Sequence, residues 1–424
     1  MLKATKHVLP SGLKVVLVPM PSSPTVTVKV SVETGSKYES RKEAGLSHFL
    51  EHMCFKGTKK RPTPQHVARD FDDIGAVYNA YTNTEITSYY AKAASKNTKE
   101  LVDIISDIYL NTVFKDEDLK IERGVIIEEI HMYEDRPEWI AAELFDKTMH
   151  GDQPAGRSVA GTKESVSAFT TKDFYSYHQK HYVARATTLT VAGNFDQKKT
   201  LKQIREAFKD VSHSKKYGKE RTTISHRGKQ IAIRNKDTDQ VHLVLGVRSF
   251  PFNDKRNTTL AVLRGVLSRG FSSRLWQKMR EELGICYYVH SSNGPSTDHG
   301  EFAIASGVNP QRVDVAIGAL CGELKRLKDE PVGEEELNRV KSSMISVSNM
   351  SLEASDEVAS YFAGRSIFYH DLKTPSQIEK EIKQVTAKEI QKVAKEIFTN
   401  KDLTLSIVGK NLKKEILGKA LNLQ

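Results

Sequence analysis

Apolar and polar positions alternate in a pattern that occurs twice along this chain. Residues Leu13 to Thr58 predict strand, turn, strand and then helix, beginning with the apolar run Leu13-Lys14-Val15-Val16-Leu17-Val18. Lys229 to Arg269 predict the same order, with Gln230 to Ile233 as a strand, a polar turn, Val241 to Val247 as a strand and Thr258 to Leu267 as a helix. Near the ends of the two halves, Leu189-Thr190-Val191-Ala192-Gly193 is echoed by Leu403-Thr404-Leu405-Ser406-Ile407-Val408-Gly409. Between the halves, Ser212 to Ser225 is rich in Lys, Ser and Thr and reads as a linker. The expectation is therefore α+β: two domains of like topology, residues 1–211 and 226–424, joined by a linker over 212–225. Each domain is expected to be a mixed, mostly antiparallel sheet packed with helices.

The first predicted helix carries the most informative five residues, His48-Phe49-Leu50-Glu51-His52. On a helix, positions 48 and 52 lie one above the other, and Glu51 overhangs the same face. Two imidazoles so placed can share a zinc ion, and a neighbouring carboxylate can take a proton from water on the metal. The order His-x-x-Glu-His inverts the commoner zinc-protease helix motif. With 14 His in 424 residues, such a pentapeptide arises by chance in roughly a few per cent of similar chains. Its bland alternative is an amphipathic helix with two polar residues on its rim. Leu46, Phe49, Leu50, Met53 and Phe55 argue against that, because they bring the polar groups close to a core where they need partners.

Zinc needs a third protein ligand, and the segment Asp116 to Glu134 predicts a second long helix that could supply it. Its acidic start suits the positive helix N-terminus, and Val125, Ile126, Ile130 and Tyr133 give it an apolar stripe. Glu122 and Glu129 are seven apart, nearly two turns, so they share a face. Spacing alone leaves Glu122, Glu128, Glu129 and His131 all open as ligands.

The string Gly45-Leu46-Ser47-His48-Phe49-Leu50-Glu51-His52-Met53-Cys54-Phe55-Lys56-Gly57-Thr58 resembles the active-site helix of the pitrilysin family of inverted-motif zinc metallopeptidases. That family includes insulin-degrading enzyme, the mitochondrial processing peptidase and small bacterial processing-type proteases, and the chain is most similar to the last. The resemblance implies a processing-peptidase-like metallohydrolase fold. It also implies Zn²⁺ held by His48, His52 and Glu129, Glu51 as general base, and Glu122 assisting from behind a ligand. Downstream, Ser272-Ser273-Arg274-Leu275 and Arg280-Glu281-Glu282-Leu283-Gly284-Ile285-Cys286-Tyr287 resemble the family's substrate-side pair. Carried over, Arg280 would hold a substrate carbonyl or carboxylate, and Tyr287 would donate to the oxygen that becomes negative during attack. Asn79-Ala80-Tyr81-Thr82 reads as a strand and resembles the family's substrate-binding edge strand, with Asn79, Ala80 and Thr82 as the contacts. The chain departs from many relatives at Val183 to Thr188, where a Pro-x-Asn-Met stretch is common, and at Gly124, an unusual residue inside a helix.

Composition changes this picture little. Apolar content of 38% and charged content of 28% describe a soluble globular chain, and no apolar run is long enough to span a membrane. The net charge of +11 comes from scattered Lys and Arg, with no nucleic-acid motif. No secretory signal is expected in Met1 to Lys6. Cys54, Cys286 and Cys321 are too few for a disulfide scaffold and fit a reducing, cytoplasmic setting. Cys54 is read as a small buried hydrophobe with no ligand role. The function expected from all this is a zinc-dependent endopeptidase that cleaves peptides or unfolded protein segments and pairs as a homodimer. A non-catalytic peptide-binding or assembly protein on the same fold is the alternative.

Overall fold

The computed structural model describes residues 2–224 and 228–423. Ser225, the last residue of the expected linker, and His226, the first of the expected second domain, lie outside the described residues. Two sheets organise the rest. The first has the order β1 (Thr5–Val8), β2 (Lys14–Pro19), β6 (Thr187–Gly193), β3 (Thr25–Val32), β5 (Thr87–Ala94) and β4 (Val77–Thr82). The second has the order β7 (Gln230–Asn235), β11 (Thr404–Gly409), β8 (Val241–Ser249), β10 (Gly300–Val308) and β9 (Cys286–Pro295).

The two sheets repeat one topology. β2 runs parallel to β6 as β7 does to β11, and every further neighbour in both sheets is antiparallel. In each half a helix follows the central strand, Leu46–Met53 after β3 and Asn257–Ser268 after β8. A hairpin comes next, β4–β5 in one half and β9–β10 in the other. The repeat in the apolar pattern is thus a repeat of fold, in two α+β layers with mixed sheets. Only the first copy carries the two histidines on its helix.

The described residues form two compact units, each assembled from three chain segments. Residues 1–130, 158–220 and 349–375 make the first, and 131–157, 221–348 and 376–424 the second. In the first unit, helix Ser355–Gly364 lays Val358, Ala359 and Phe362 on Val16, Val18 and Ala192. In the second, helix Pro137–His150 lays Ile140, Ala141, Phe145 and Met149 on Val244, Ala303 and Val408. Each half of the sequence therefore lends a helix to the other half's sheet. This explains β3, whose alternating Thr-Val-Thr-Val-Lys-Val-Ser-Val pattern would suit one wet face. Its polar face is buried instead, with Thr27 bonded to Ser355 at 2.9 Å and Lys29 to Ser360 at 3.0 Å.

The expected linker has no regular structure over 212–224, but it is tied down. Lys216 pairs with Glu33, and Lys219 lies 3.2 Å from Glu85, which also takes the buried ammonium of Lys37 at 3.0 Å.

Candidate functional site

Helix Leu46–Met53 is short, and its setting is tightly specified. Leu46, Phe49, Leu50 and Met53 are fully buried beneath the first sheet. Gly45 starts the helix at φ 92°, and a Cβ there would stand 2.6 Å from the carbonyl oxygen of Ala160. Glycine is required on both counts. Two N–H groups at this helix start, those of Gly45 and Ser47, donate to the Glu39 carboxylate at 2.8 and 2.6 Å. A carboxylate at that end satisfies unpaired donors and faces the positive pole of the helix. Glu39 is buried, and burial pushes its carboxyl up to about 7, against the pull of those hydrogen bonds.

The helix Asp116–Asp135 runs alongside and passes through Gly124 without a break. Its buried face is Leu119, Glu122, Ile126 and Ile130, with Glu129 half-buried between them. Val125, expected in the apolar stripe, is instead exposed, and the two glutamates take places on the inner face. Of the four ligands that spacing left open, only Glu129 joins the histidines. One ligand atom from each of His48, His52 and Glu129 lies within 4.8 Å of the others, the one such grouping of His, Cys, Asp and Glu among the described residues. Glu129 Oε2 stands 3.7 Å from His48 Nε2 and 3.8 Å from His52 Nε2. Two donors on one tetrahedral zinc, each about 2.1 Å from it, are about 3.4 Å apart, so the two separations from Glu129 need close only a few tenths of an ångström.

Protonation suits the same role at His48. Burial, helped by the charge of His52, lowers the His48 imidazole to about 4 and keeps its lone pair available. Burial also disfavours charge on His52, but its hydrogen bond to Glu122 and the charges of Glu51, Glu122 and Glu129 outweigh this and raise it above its ordinary value. Glu122 Oε1 lies 2.8 Å from His52 Nδ1. Accepting the Nδ1 proton fixes the tautomer that turns a bare Nε2 toward Glu129. His48 Nδ1 is buried with no hydrogen-bond partner among the described residues, so none of them sets its tautomer. Burial pushes the Glu122 carboxyl up, yet its bonds to His52 and Lys56 hold it below its ordinary value, and Lys56 Nζ sits on its other oxygen. The donor set therefore fits zinc.

Glu51, one residue before His52, is buried, and burial raises its carboxyl above the ordinary value against a hydrogen bond from Thr82. That bond runs from Thr82 Oγ1 to Glu51 Oε2 at 2.6 Å. β4, which carries Asn79, Ala80 and Thr82, is the last strand of its sheet. Asn79 is exposed there, and Ala80 is half-buried against the core. Asn83 closes the β4–β5 turn by accepting the N–H groups of Glu85 and Ile86 at 2.8 Å each.

In the second unit, Arg280 lies on a π-helical turn, Gln277–Glu282, and Tyr287 near the start of β9. The structure brings these two together. The Arg280 guanidinium is 5.8 Å from the Tyr287 ring centre and donates to the Cys286 carbonyl at 2.8 Å, and the Tyr287 side chain is largely exposed. Cys54 is fully buried with its thiol pushed up to about 12 by burial, and takes no part in the histidine grouping. All three cysteines are free and buried. The sequence reading missed Glu39, Lys56 and the contact from Thr82 to Glu51. Lys56 had a signal, lying four residues past His52 just beyond the helix end, whereas Glu39 acts through backbone groups that no side-chain pattern reveals.

Known proteins resemble this chain over most of its length. Residues 14–163 match the family model described as Insulinase (Peptidase family M16), and residues 168–344 match the one described as Peptidase M16 inactive domain. An uncharacterized zinc protease of Rickettsia felis is 34% identical over 408 residues, covering 95% of this chain and 97% of that protein. The uncharacterized zinc protease YmxG of Bacillus subtilis is 30% identical over 405 residues, covering 95% and 98%. Among solved structures, a protease from Helicobacter pylori superposes with a TM-score of 0.89 at 23% identity, covering 96% of this chain and 100% of that one. A chain of complex III2 from Candida albicans does so with 0.84 at 17% identity, covering 99% and 100%. These last two are likenesses of fold alone. No helix among the described residues is long and apolar enough to cross a membrane.

Proposed function

We propose that this chain, which belongs to the insulinase family of peptidases (family M16), is a zinc-dependent endopeptidase that cleaves peptides and unfolded protein segments. The observation that carries the reading is the convergence of His48, His52 and Glu129 beside a buried Glu51. His48, His52 and Glu129 would hold the metal, which supplies a Lewis acid and a source of hydroxide near neutral pH. Glu51 accepts the proton of the attacking water and later hands it to the leaving amine. Glu122 keeps His52 in the tautomer a ligand needs, and Lys56 keeps Glu122 ionised. Arg280 grips a substrate carbonyl or carboxylate, and the Tyr287 hydroxyl donates to the oxygen that gains charge. The free edge of β4 at Asn79 and Ala80 takes an extended substrate by main-chain pairing, which suits a peptidase tolerant of sequence. The reading extends to a first domain over 1–211 that does the chemistry and a second over 226–424 that supplies Arg280 and Tyr287. It also extends to a cytoplasmic homodimer, with no nucleic-acid or membrane partner.

The fold shared with a respiratory-complex chain favours a second reading, a non-catalytic assembly or peptide-binding protein. Such a role has no use for a buried carboxylate beside three ligands. Hydrolysis of a quenched fluorogenic peptide library separates the two. The endopeptidase reading expects cleavage that a chelator abolishes and that one equivalent of zinc per chain restores. A zinc-loaded chain that binds peptides and cuts none of them would establish the assembly reading instead.

A further inference from the structure

Thr82 enters the sequence reading as a residue of a substrate-binding strand, but its hydroxyl is already engaged within the protein. Thr82 lies on β4 with Tyr78 and Ala80, half-buried on one face of the strand while Val77, Asn79 and Tyr81 point away. Its Oγ1 has two neighbours, Glu51 Oε2 at 2.6 Å and Thr87 Oγ1 at 3.3 Å. Thr87 gives its own hydroxyl hydrogen to the carbonyl of Thr34 at 3.2 Å, so it can only accept from Thr82. One hydrogen thus has two acceptors, and the nearer is a carboxylate. Short O–H···O⁻ bonds of about 2.5–2.7 Å are the strong kind. Thr87 in turn is fixed to the turn after β3, which makes Thr82 the end of a chain of hydroxyls anchored in the sheet.

We infer that Thr82 is a positioning residue for the hydrolytic step, its hydroxyl pinning one oxygen of Glu51 so that the other is presented to the attacking water. Glu51 has three rotatable side-chain bonds, and among the described residues Thr82 is the one side-chain hydrogen-bond donor to its carboxylate. The strand that offers its edge to substrate therefore also aims the base. A loosely aimed base is costly, since misplacement by about 1 Å can lower a rate about 100-fold.

The inference rests on Glu51 being the general base. Its test compares the zinc-loaded full chain with Thr82→Val, which keeps the shape and removes the donor, and Thr82→Ser, which keeps the donor. Peptide hydrolysis, zinc stoichiometry, melting temperature and a crystal structure are recorded for each. The expected result for Thr82→Val is a kcat about 10- to 100-fold lower, KM within about three-fold, one zinc retained and the Glu51 carboxylate rotated. Thr82→Ser should recover most of the rate and the wild-type carboxylate position. Thr82→Ala takes the place of Thr82→Val should that variant not fold. Unchanged kcat in the variant lacking the donor, or a loss that lies wholly in KM, overturns the inference, the second marking Thr82 as a substrate contact. An inactive wild type would sink the endopeptidase reading instead. The crystal structures would then decide the positioning claim, and an unmoved Glu51 carboxylate in Thr82→Val would overturn it.

Discussion

Glu122→Gln should weaken zinc binding about 10- to 100-fold while leaving the three ligands in place. The wild-type carboxylate receives two donors, His52 Nδ1 on one oxygen and Lys56 Nζ on the other, and is buried where water cannot replace either. An amide has a single acceptor oxygen, so Gln can serve only one of them. Suppose it serves His52. The bond then falls from charge-assisted to neutral, about 1–2 kcal/mol less, and the Lys56 ammonium is left without its counter-charge near a dication. Should it serve Lys56 instead, its NH₂ faces His52 and favours the tautomer with hydrogen on Nε2, the atom that must bind metal. Either route costs about 1.4–2.8 kcal/mol, which is one to two decades of affinity. Competition with a chromophoric chelator at fixed pH and salt measures this directly. A folded Glu122→Gln chain whose zinc affinity lies within about three-fold of wild type would refute the argument that Glu122 sets the His52 tautomer.

Two further outcomes follow from the elements that carry the ligands. Gly124→Ala should stabilise the fold by about 0.5–1 kcal/mol, since the added Cβ meets nothing within 4 Å and φ is ordinary; urea unfolding that shows a loss would contradict the packing described. Glu39 gives a pH dependence with a definite sign. Its folded value of about 7 exceeds its ordinary 4.5, so between them the folded chain holds a proton that the unfolded chain has released. The stability this contributes is complete below about pH 4.5 and lost as pH rises through 7, at most on the order of 3 kcal/mol. Glu39→Gln stays neutral throughout, so it should gain on wild type between pH 5 and pH 8 in urea unfolding. A difference that is flat with pH would refute the assignment.

Local chemistry was legible in the chain, and long-range placement was not. His48 and His52 could be paired from a spacing of four because helix geometry alone stacks them. Glu129 could not be chosen from spacing, since an apolar stripe drawn through Val125 and Tyr133 puts the buried face in the wrong place. The face actually buried runs through Glu122, Ile126 and Ile130, and only the family resemblance pointed to Glu129. The repeat of topology showed itself because the same apolar periods recur after residue 229. Which sheet a helix covers left no trace, because the inward residues of helix Ser355–Gly364 would suit any apolar surface. Thr82 reaches Glu51 across 31 residues, and Glu39 holds the helix start through backbone groups, and no side-chain pattern encodes either. The segment read as a linker from its Lys, Ser and Thr content, which gave no sign of the partners its lysines find in Glu33 and Glu85.

The central claim is that Glu51 does the proton work at a zinc held by its neighbours, and Glu51→Gln tests it most directly. Gln keeps the shape and can still accept from Thr82, but it has no basic carboxylate. Zinc content by atomic emission and cleavage of a quenched fluorogenic peptide would be measured on wild type and variant from the same preparation. The account predicts about one zinc per chain in both proteins, with cleavage in the wild type and a loss of at least 100-fold in the variant. A Glu51→Gln chain that carries zinc and cleaves at the wild-type rate would contradict it.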